Sequence, residues 1–249
     1  MEIDWEGIRA EQFPSLRKKV HLKAAGGSPI SRSAYQAGIK YFKGLLNQGD
    51  VFWEEYFNDV DIARKIVASY LNCKPHEIAF FTNTSSGMNV IARLLNKGEI
   101  LYPKEEFPAS IHVFKSLNFK TREVRPTNDH IYPIENLKNS LSENTRYLIH
   151  SHVQYLTGFR QDLIKLGEFT RDRGLLNIIN ATQSFGAFPI DVKTQNIHML
   201  TSSALKWACC GYGIGILFIK NALIKKMNLP FSSWLSVRDA FSMDNENMD

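Results

Sequence analysis

Three cysteines in 249 residues, Cys73, Cys209 and Cys210, are too few and too unevenly placed for a disulfide framework. Two are adjacent and one is distant, a pattern that fits a reducing compartment and predicts a cytoplasmic protein. No run of about 18 apolar residues occurs, which argues against a membrane-spanning helix. The longest apolar stretch, Ala208 to Ile219, is short and interrupted by three glycines. Long runs of like charge are also missing. The 30 Lys and Arg against 25 Asp and Glu leave a net charge of +5 with the signs interspersed. There is no polybasic tract and no basic stripe with aromatics between, so nucleic acid is not an expected partner. Residues 1–6 are acidic and lack the pattern of a secretory leader. Glycine and proline, at 15 and 9, are too scarce for a collagen-like or low-complexity chain. What remains is an ordinary globular composition, 44% hydrophobic, long enough to bury a sizeable core.

Apolar spacing predicts helices over Ser31–Asn47, through Ala34, Ala37, Tyr41 and Leu45, and over Phe57–Leu71, through Val60, Ala63, Ile66, Val67 and Tyr70. From there short apolar runs alternate with helical ones. Strands are expected at Glu77–Thr82, Glu99–Tyr102, Thr121–Val124, Arg146–His150, Leu175–Ile179, His198–Thr201 and Gly213–Ile219. Helices are expected at Gly87–Leu95, Ala109–Leu117, Ile134–Leu141, Asp162–Arg173 and Asn221–Met227. This alternation predicts an α/β fold with a mostly parallel sheet. Right-handed crossovers then gather the strand C-terminal ends on one edge, where ligands bind in such folds.

The residues after each strand therefore matter most. Thr82-Asn-Thr-Ser-Ser-Gly87 opens a helix, and hydroxyls with free amides at a helix N-terminus form an anion site. Glu105-Glu-Phe-Pro-Ala109 follows the next strand, Ser151-His-Val-Gln-Tyr-Leu-Thr-Gly158 another, and Asn180-Ala-Thr-Gln183 the one after. Ser202-Ser-Ala-Leu-Lys-Trp207 completes the set. A lysine beside apolar Leu205 and Trp207 is expected to have a lowered pKa, as an amine nucleophile requires. A phosphate site, a stacking aromatic and such a lysine describe a pocket for pyridoxal phosphate.

The sequence resembles the class V aminotransferase family of pyridoxal phosphate enzymes, of fold type I, which includes cysteine desulfurases, selenocysteine lyases and isopenicillin N epimerase-like proteins. The resemblance runs from about Val20 to the end and is strongest from Ser151 to Leu217. It rests on Thr157-Gly-Phe-Arg-Gln-Asp-Leu163, Ala181-Thr-Gln-Ser-Phe-Gly186, Ile190-Asp-Val192, Ser203-Ala-Leu-Lys-Trp207 and Gly211-Tyr-Gly-Ile-Gly215, in family order and spacing. It implies a three-layer α/β/α large domain that binds pyridoxal 5'-phosphate and acts on an amino acid. Lys206 would carry the Schiff base and later move protons at the substrate Cα. Ser203, Thr84 and Ser85 would contact the cofactor phosphate. Gln183 would bond the ring oxygen, Phe107 would stack on the pyridine face, and Asn180 stands where an aspartate usually pairs with the ring nitrogen. Ala24-Ala-Gly-Gly-Ser-Pro29 resembles the family's loop at the active-site mouth. The family also implies a homodimer, with Phe52, Trp53, Tyr56 and Phe57 as core or as interface.

Three departures from the family pattern stand out. Asn180 supplies no negative charge, so a weaker electron sink is expected. Leu205 replaces the histidine that many relatives carry before the lysine. Relatives also continue into a C-terminal small domain, which here is expected to be absent. The expected division is 1–30 as N-terminal segment and mouth loop, 31–220 as cofactor-binding large domain, and 221–249 as the start of a linker. The last residues, Asp244 to Asp249, are polar and expected to fray.

Plainer roles stand beside these. Thr84 and Ser85 also fit ordinary helix caps, Gln183 a turn-capping amide, Asn180 a turn residue and Phe107 a core aromatic. His150 and His152 share a strand face but lack an evident third ligand, so no metal is expected. The enzyme reading is an aminotransferase or a cysteine desulfurase-like enzyme, soluble, with a second copy or a separately encoded small domain as partner. The rival readings are a non-catalytic remnant or half of a split enzyme that binds the cofactor without turnover, and a nucleotide-binding α/β protein.

Overall fold

A computed structural model describes residues 3–228, 230–237 and 240. Seven strands form one sheet: β1 (Ile78–Phe81), β2 (Glu99–Pro103), β3 (Lys120–Val124), β4 (Thr145–Ser151), β5 (Leu176–Asn180), β6 (Met199–Ser203) and β7 (Gly215–Ile219). Their spatial order is β1-β7-β6-β5-β4-β2-β3. Six strands run the same way and β7 runs against both of its neighbours. The expected mostly parallel sheet is present, but β7 presents its N-terminal end where the others present their C-terminal ends.

Every strand from β4 to β6 is buried along nearly its whole length, as a sheet covered on both faces requires. Alternation assigns the side chains to the two faces. Leu101, Leu148, Ile179, Leu200 and Phe218 enter one core, with Leu137 of α6 (Ile134–Asn139) and Leu166 and Phe169 of α7 (Leu163–Asp172). Ile100, Ile149, Ile178, Met199 and Leu217 enter the other, with Met88 and Ile91 of α4 (Thr84–Leu94) and Phe114 of α5 (Pro108–Ser116). Helices on both faces of the sheet make the three expected layers.

The first 71 residues behave differently. Helices α1 (Trp5–Gln12), α2 (Arg32–Gln48) and α3 (Trp53–Leu71) bury only Ala68 and Leu71 between them. The stripe expected to be buried on α3 is mostly at the surface: Val60, Ile66 and Tyr70 are exposed, while Ala63 and Val67 are half-buried. On α2, Tyr41 and Ala37 are likewise exposed. Phe52, Trp53, Tyr56 and Phe57 are not core residues. Three of them make aromatic contacts near the surface: Tyr56 meets Tyr41 at 4.7 Å, Trp53 meets Phe57 at 5.9 Å and Phe57 meets Trp234 at 6.4 Å. A short helix, α8 (Asn221–Ile224), follows β7 and is shorter than the expected Asn221–Met227. Residues 241–249, and with them the ending expected to fray, lie outside the described residues, as do 229 and 238–239 of the expected linker. No helix among the described residues is long and apolar enough to cross a membrane.

Two features fix the sheet mechanically. At its N-terminal edge, buried Glu99 accepts from Arg122 Nε at 2.9 Å, Ser142 Oγ at 2.6 Å and Thr145 Oγ1 at 2.8 Å, joining β2, β3 and the turn into β4. The Arg122 hydrogen bond leads in holding its carboxyl down at about 2, against the opposing effect of burial. At the other end, α4 lies directly on β6 at Gly87. A Cβ there would collide with the Thr201 hydroxyl.

Two outcomes follow. Because the folded carboxyl of Glu99 titrates below its ordinary value of 4.5, its contribution is fully present above that pH and is lost as pH falls towards about 2. Glu99→Gln should lower unfolding free energy by about 2 kcal/mol at pH 7 and flatten its fall in acid, measured by urea denaturation at both pH values. Gly87→Ala should cost about 1–3 kcal/mol by forcing α4 off β6, read from the same denaturation curves.

Candidate active site

The expected strand ends converge on one cleft of about 170 Å³. One side of it comes from Asn83, beyond the end of β1, and the first turn of α4. The helix begins at Thr84, three residues before the sequence expectation, because Asn83 caps it: the residue is extended and its Oδ1 accepts from Ser86 N at 2.9 Å. Thr84 and Ser85 therefore occupy the first helical turn. Gly215, at the start of β7, keeps Asn83 close; a Cβ there would lie 2.8 Å from the Asn83 backbone.

From β6 comes Ser203, whose hydroxyl accepts from Thr84 N at 2.9 Å and lies 2.8 Å from Thr84 Oγ1. Thr84 Oγ1 in turn lies 2.6 Å from Thr182 Oγ1, beyond β5. Three hydroxyls from three strand ends thus form one chain. The Ser85 N–H and hydroxyl, which line the cleft, have no protein partner among the described residues. They stand at the positive end of an eleven-residue helix, a place that favours an anion.

Lys206 follows in the turn after β6. That turn is closed by Cys209 N donating to Lys206 O at 3.1 Å and Cys210 N to Ala204 O at 3.1 Å. The amine is half-buried, and burial lowers its pKa below that of an ordinary lysine. Nζ lies 5.9 Å from the centre of the Phe107 ring, which meets Tyr155 edge-on at 5.1 Å. No Asp or Glu lines the cleft among the described residues.

Asn180, at the end of β5, is buried. Its Nδ2 donates to Ser110 Oγ at 2.9 Å and its Oδ1 accepts from Thr182 N at 3.0 Å. Gln183 is tied to protein on both sides, donating to Ala25 O at 2.9 Å and accepting from Trp207 Nε1 at 3.2 Å. With Ser28 N on Leu205 O at 3.0 Å, this docks the Ala24–Pro29 loop against the lysine turn.

All seven residues singled out from the sequence, Thr84, Ser85, Phe107, Asn180, Gln183, Ser203 and Lys206, line this one cleft. Asn83, Ala109, Ser151, Tyr155, Thr182 and Leu205 share it. Thr182 sits inside the Asn180–Gln183 string, where a hydroxyl between two amides was its available signal. Tyr155 lies four residues past the end of β4 in an irregular loop, with no local pattern to mark it. His150 and His152 are buried behind the cleft wall. Burial lowers both pKa values, that of His152 to about 4. No cluster of metal-binding side chains occurs among the described residues. Cys209 and Cys210 are free thiols that donate to the backbone of Trp207 and Ala208.

The sequence pattern of the family described as aminotransferase class-V matches residues 20–243. Among curated relatives, an uncharacterized aminotransferase, YcbU of Bacillus subtilis, is 27% identical over 92% of this chain and 62% of its own length. A cysteine desulfurase, IscS of Shewanella loihica, is 30% identical over 82% of this chain and 54% of its own length. The chain thus spans between half and two thirds of the length of these two relatives. Among solved structures, a C-DES mutant with glycine covalently linked to its PLP cofactor superposes with a TM-score of 0.87 at 20% identity, over 97% of this chain and 66% of that one. That likeness shows the fold: a type I large domain. With nearly the whole sequence inside the family pattern, the chain belongs to the class V aminotransferase family.

Proposed function

We propose that this chain binds pyridoxal 5'-phosphate in the cleft between Ser85 and Lys206 and forms the cofactor-binding part of an enzyme that acts on an amino acid. The single observation that carries this reading is a half-buried lysine facing an aromatic ring, one turn from a hydroxyl chain at a capped helix N-terminus. The donor set fits the cofactor at each end. Ser85 offers an unpartnered amide and hydroxyl to a phosphate dianion, and Ser203 and Thr84 offer hydroxyls beside them. Lys206, with no carboxylate in the cleft to hold its charge, is the amine suited to hold an aldehyde. The C-DES structure, whose PLP cofactor carries a covalently linked glycine, supports the same cofactor and an amino acid as its reactant.

When bound, the cofactor supplies a conjugated ring that accepts electrons from the substrate Cα. Lys206 moves the proton at that carbon, for which a lowered amine pKa is the right adjustment. Phe107, held edge-on by Tyr155 and facing Lys206, would offer its ring to the cofactor. Gln183 positions the lysine turn by holding Trp207 and the Ala25 loop together. Aminotransferase and desulfurase-like chemistry both accord with this arrangement. The uncharged Asn180 favours a second reading, a chain that holds the cofactor without turnover.

Residues 1–30 serve as the mouth segment, 31–220 as the large domain, and 221–249 as the start of a linker in this reading. The exposed apolar side chains of α2 and α3, Tyr35, Phe42, Leu46 and Ile66 among them, support pairing with a second copy. The free thiols accord with a reducing cytoplasm.

Titration of the chain with pyridoxal phosphate, followed by borohydride reduction and peptide mapping, should place one adduct on Lys206 and none in Lys206→Ala. Its formation should set in at a lower pH than for an ordinary lysine of pKa 10.5, because a lowered pKa leaves the amine neutral earlier. Ser203→Ala should weaken cofactor affinity about tenfold, the effect of one lost hydrogen bond to a charged group. A folded chain with no adduct sinks the cofactor reading. An adduct without turnover in an amino-acid screen decides for the non-catalytic one.

A further inference from the structure

A buried carboxylate stands behind the cleft wall, and the reading above gives it no role. Glu106 is 7% exposed and lies in the turn between β2 and α5. Both its oxygens are fully engaged. Oε1 accepts from Phe107 N at 2.9 Å, from Ser110 Oγ at 3.1 Å and from Ser151 Oγ. Oε2 accepts from Ser151 N at 2.7 Å and Gln154 Nε2 at 3.3 Å. Phe107 and Ser151, two partners of this carboxylate, themselves line the cleft.

The Ser110 contact has a direction. Its hydroxyl hydrogen goes to Glu106, so its oxygen is left to accept, and it accepts from Asn180 Nδ2 at 2.9 Å. The Asn180 amide is thereby fixed in one flip, and the Thr182 N–H on Oδ1 requires the same flip. A chain of hydrogen bonds that ends on an anion polarises each member in turn. Electron density moves onto the Asn180 carbonyl, which keeps a second lone pair.

We propose that Glu106 is a positioning residue that acts through Ser110, orienting the Asn180 amide and strengthening its carbonyl as the acceptor for a protonated ring nitrogen. This rests on the reading that pyridoxal phosphate occupies the cleft. Asn180 carries no charge of its own, and a buried carboxylate two hydrogen bonds away lends it part of one. The titratable neighbours do not compete. Burial keeps His150 neutral and raises the Tyr132 hydroxyl far above its usual range, and Lys206 lies with Phe107 on the cleft side.

The test loads the full chain with pyridoxal phosphate carrying ¹⁵N in the ring and follows the nitrogen signal against pH by NMR. Glu106→Gln and Ser110→Ala should each lower the pH at which the ring nitrogen loses its proton by about one unit, a tenfold change in its ionisation constant. The borohydride adduct on Lys206 should stay at wild-type stoichiometry in both. Ser110→Ala leaves Glu106 its four other donors, so it reports even where the charge change at 106 disturbs folding. An unchanged nitrogen titration in loaded Ser110→Ala overturns the relay and leaves the cofactor reading standing. A wild-type chain that takes up no pyridoxal phosphate overturns both.

Discussion

Helix α4 lies against β6 because residue 87 has no side chain. The Thr201 hydroxyl occupies the space a Cβ would need, and the contact brings the first turn of the helix to the end of the strand. The rest of the cleft depends on that approach. Thr84 reaches Ser203 across a separation of 119 residues, and the lysine turn leaves β6 three residues after that serine. A second close approach, Gly215 on the Asn83 backbone, holds the helix cap from the other side. Two missing side chains thus set the distance between the anion-binding end of the cleft and its amine.

Two networks of buried polar groups lie at opposite ends of the sheet. Around Glu99 they clamp β2 to β3 and β4. Around Glu106, Ser110, Asn180 and Ser151 they sit under the cleft. Buried polar groups lower stability unless every partner is present, so a network of this kind fixes one arrangement of its members. The apolar core between the two networks is divided by the sheet into two layers, and neither layer reaches α1 or α2. The well-packed part of the molecule is therefore the part that carries the cleft.

Much of this was legible in the sequence. Apolar runs as short as Ile78–Phe81 were recognisable as strands because turn residues bound them on either side, and the residues after each strand did converge. The misreadings have physical causes. Helix α1 escapes the pattern because it is eight residues long and Trp5 and Ile8 are its only large apolar side chains, too few to mark a stripe. The face of α3 was misjudged because periodicity marks an apolar stripe without saying what covers it; Val60 and Ile66 have the right spacing and remain exposed. The start of α4 was placed at Gly87 because the capping amide of Asn83 acts through its conformation, and composition does not show conformation. The direction of β7 depends on which neighbours it pairs with, a long-range fact. Glu106 was one of two adjacent glutamates in the sequence; burial separates it from its neighbour Glu105, which meets His130 and Tyr132 outside the cleft.

The strand order has a consequence for synthesis of the chain. Strand β1 lies at the edge of the sheet and pairs with β7 alone, Ile78 opposite Phe218 and Phe81 opposite Gly215. The ribosome therefore releases the first strand some 140 residues before its one partner, about the separation between those paired positions. The mouth loop waits longer still for Gln183 and Leu205, across 158 residues between Ala25 and Gln183. During that interval Ile78–Phe81 is an apolar segment with its backbone groups unpaired, a template on which another chain can pair. The cleft is completed last, when β7 arrives and closes the sheet over the cap of α4.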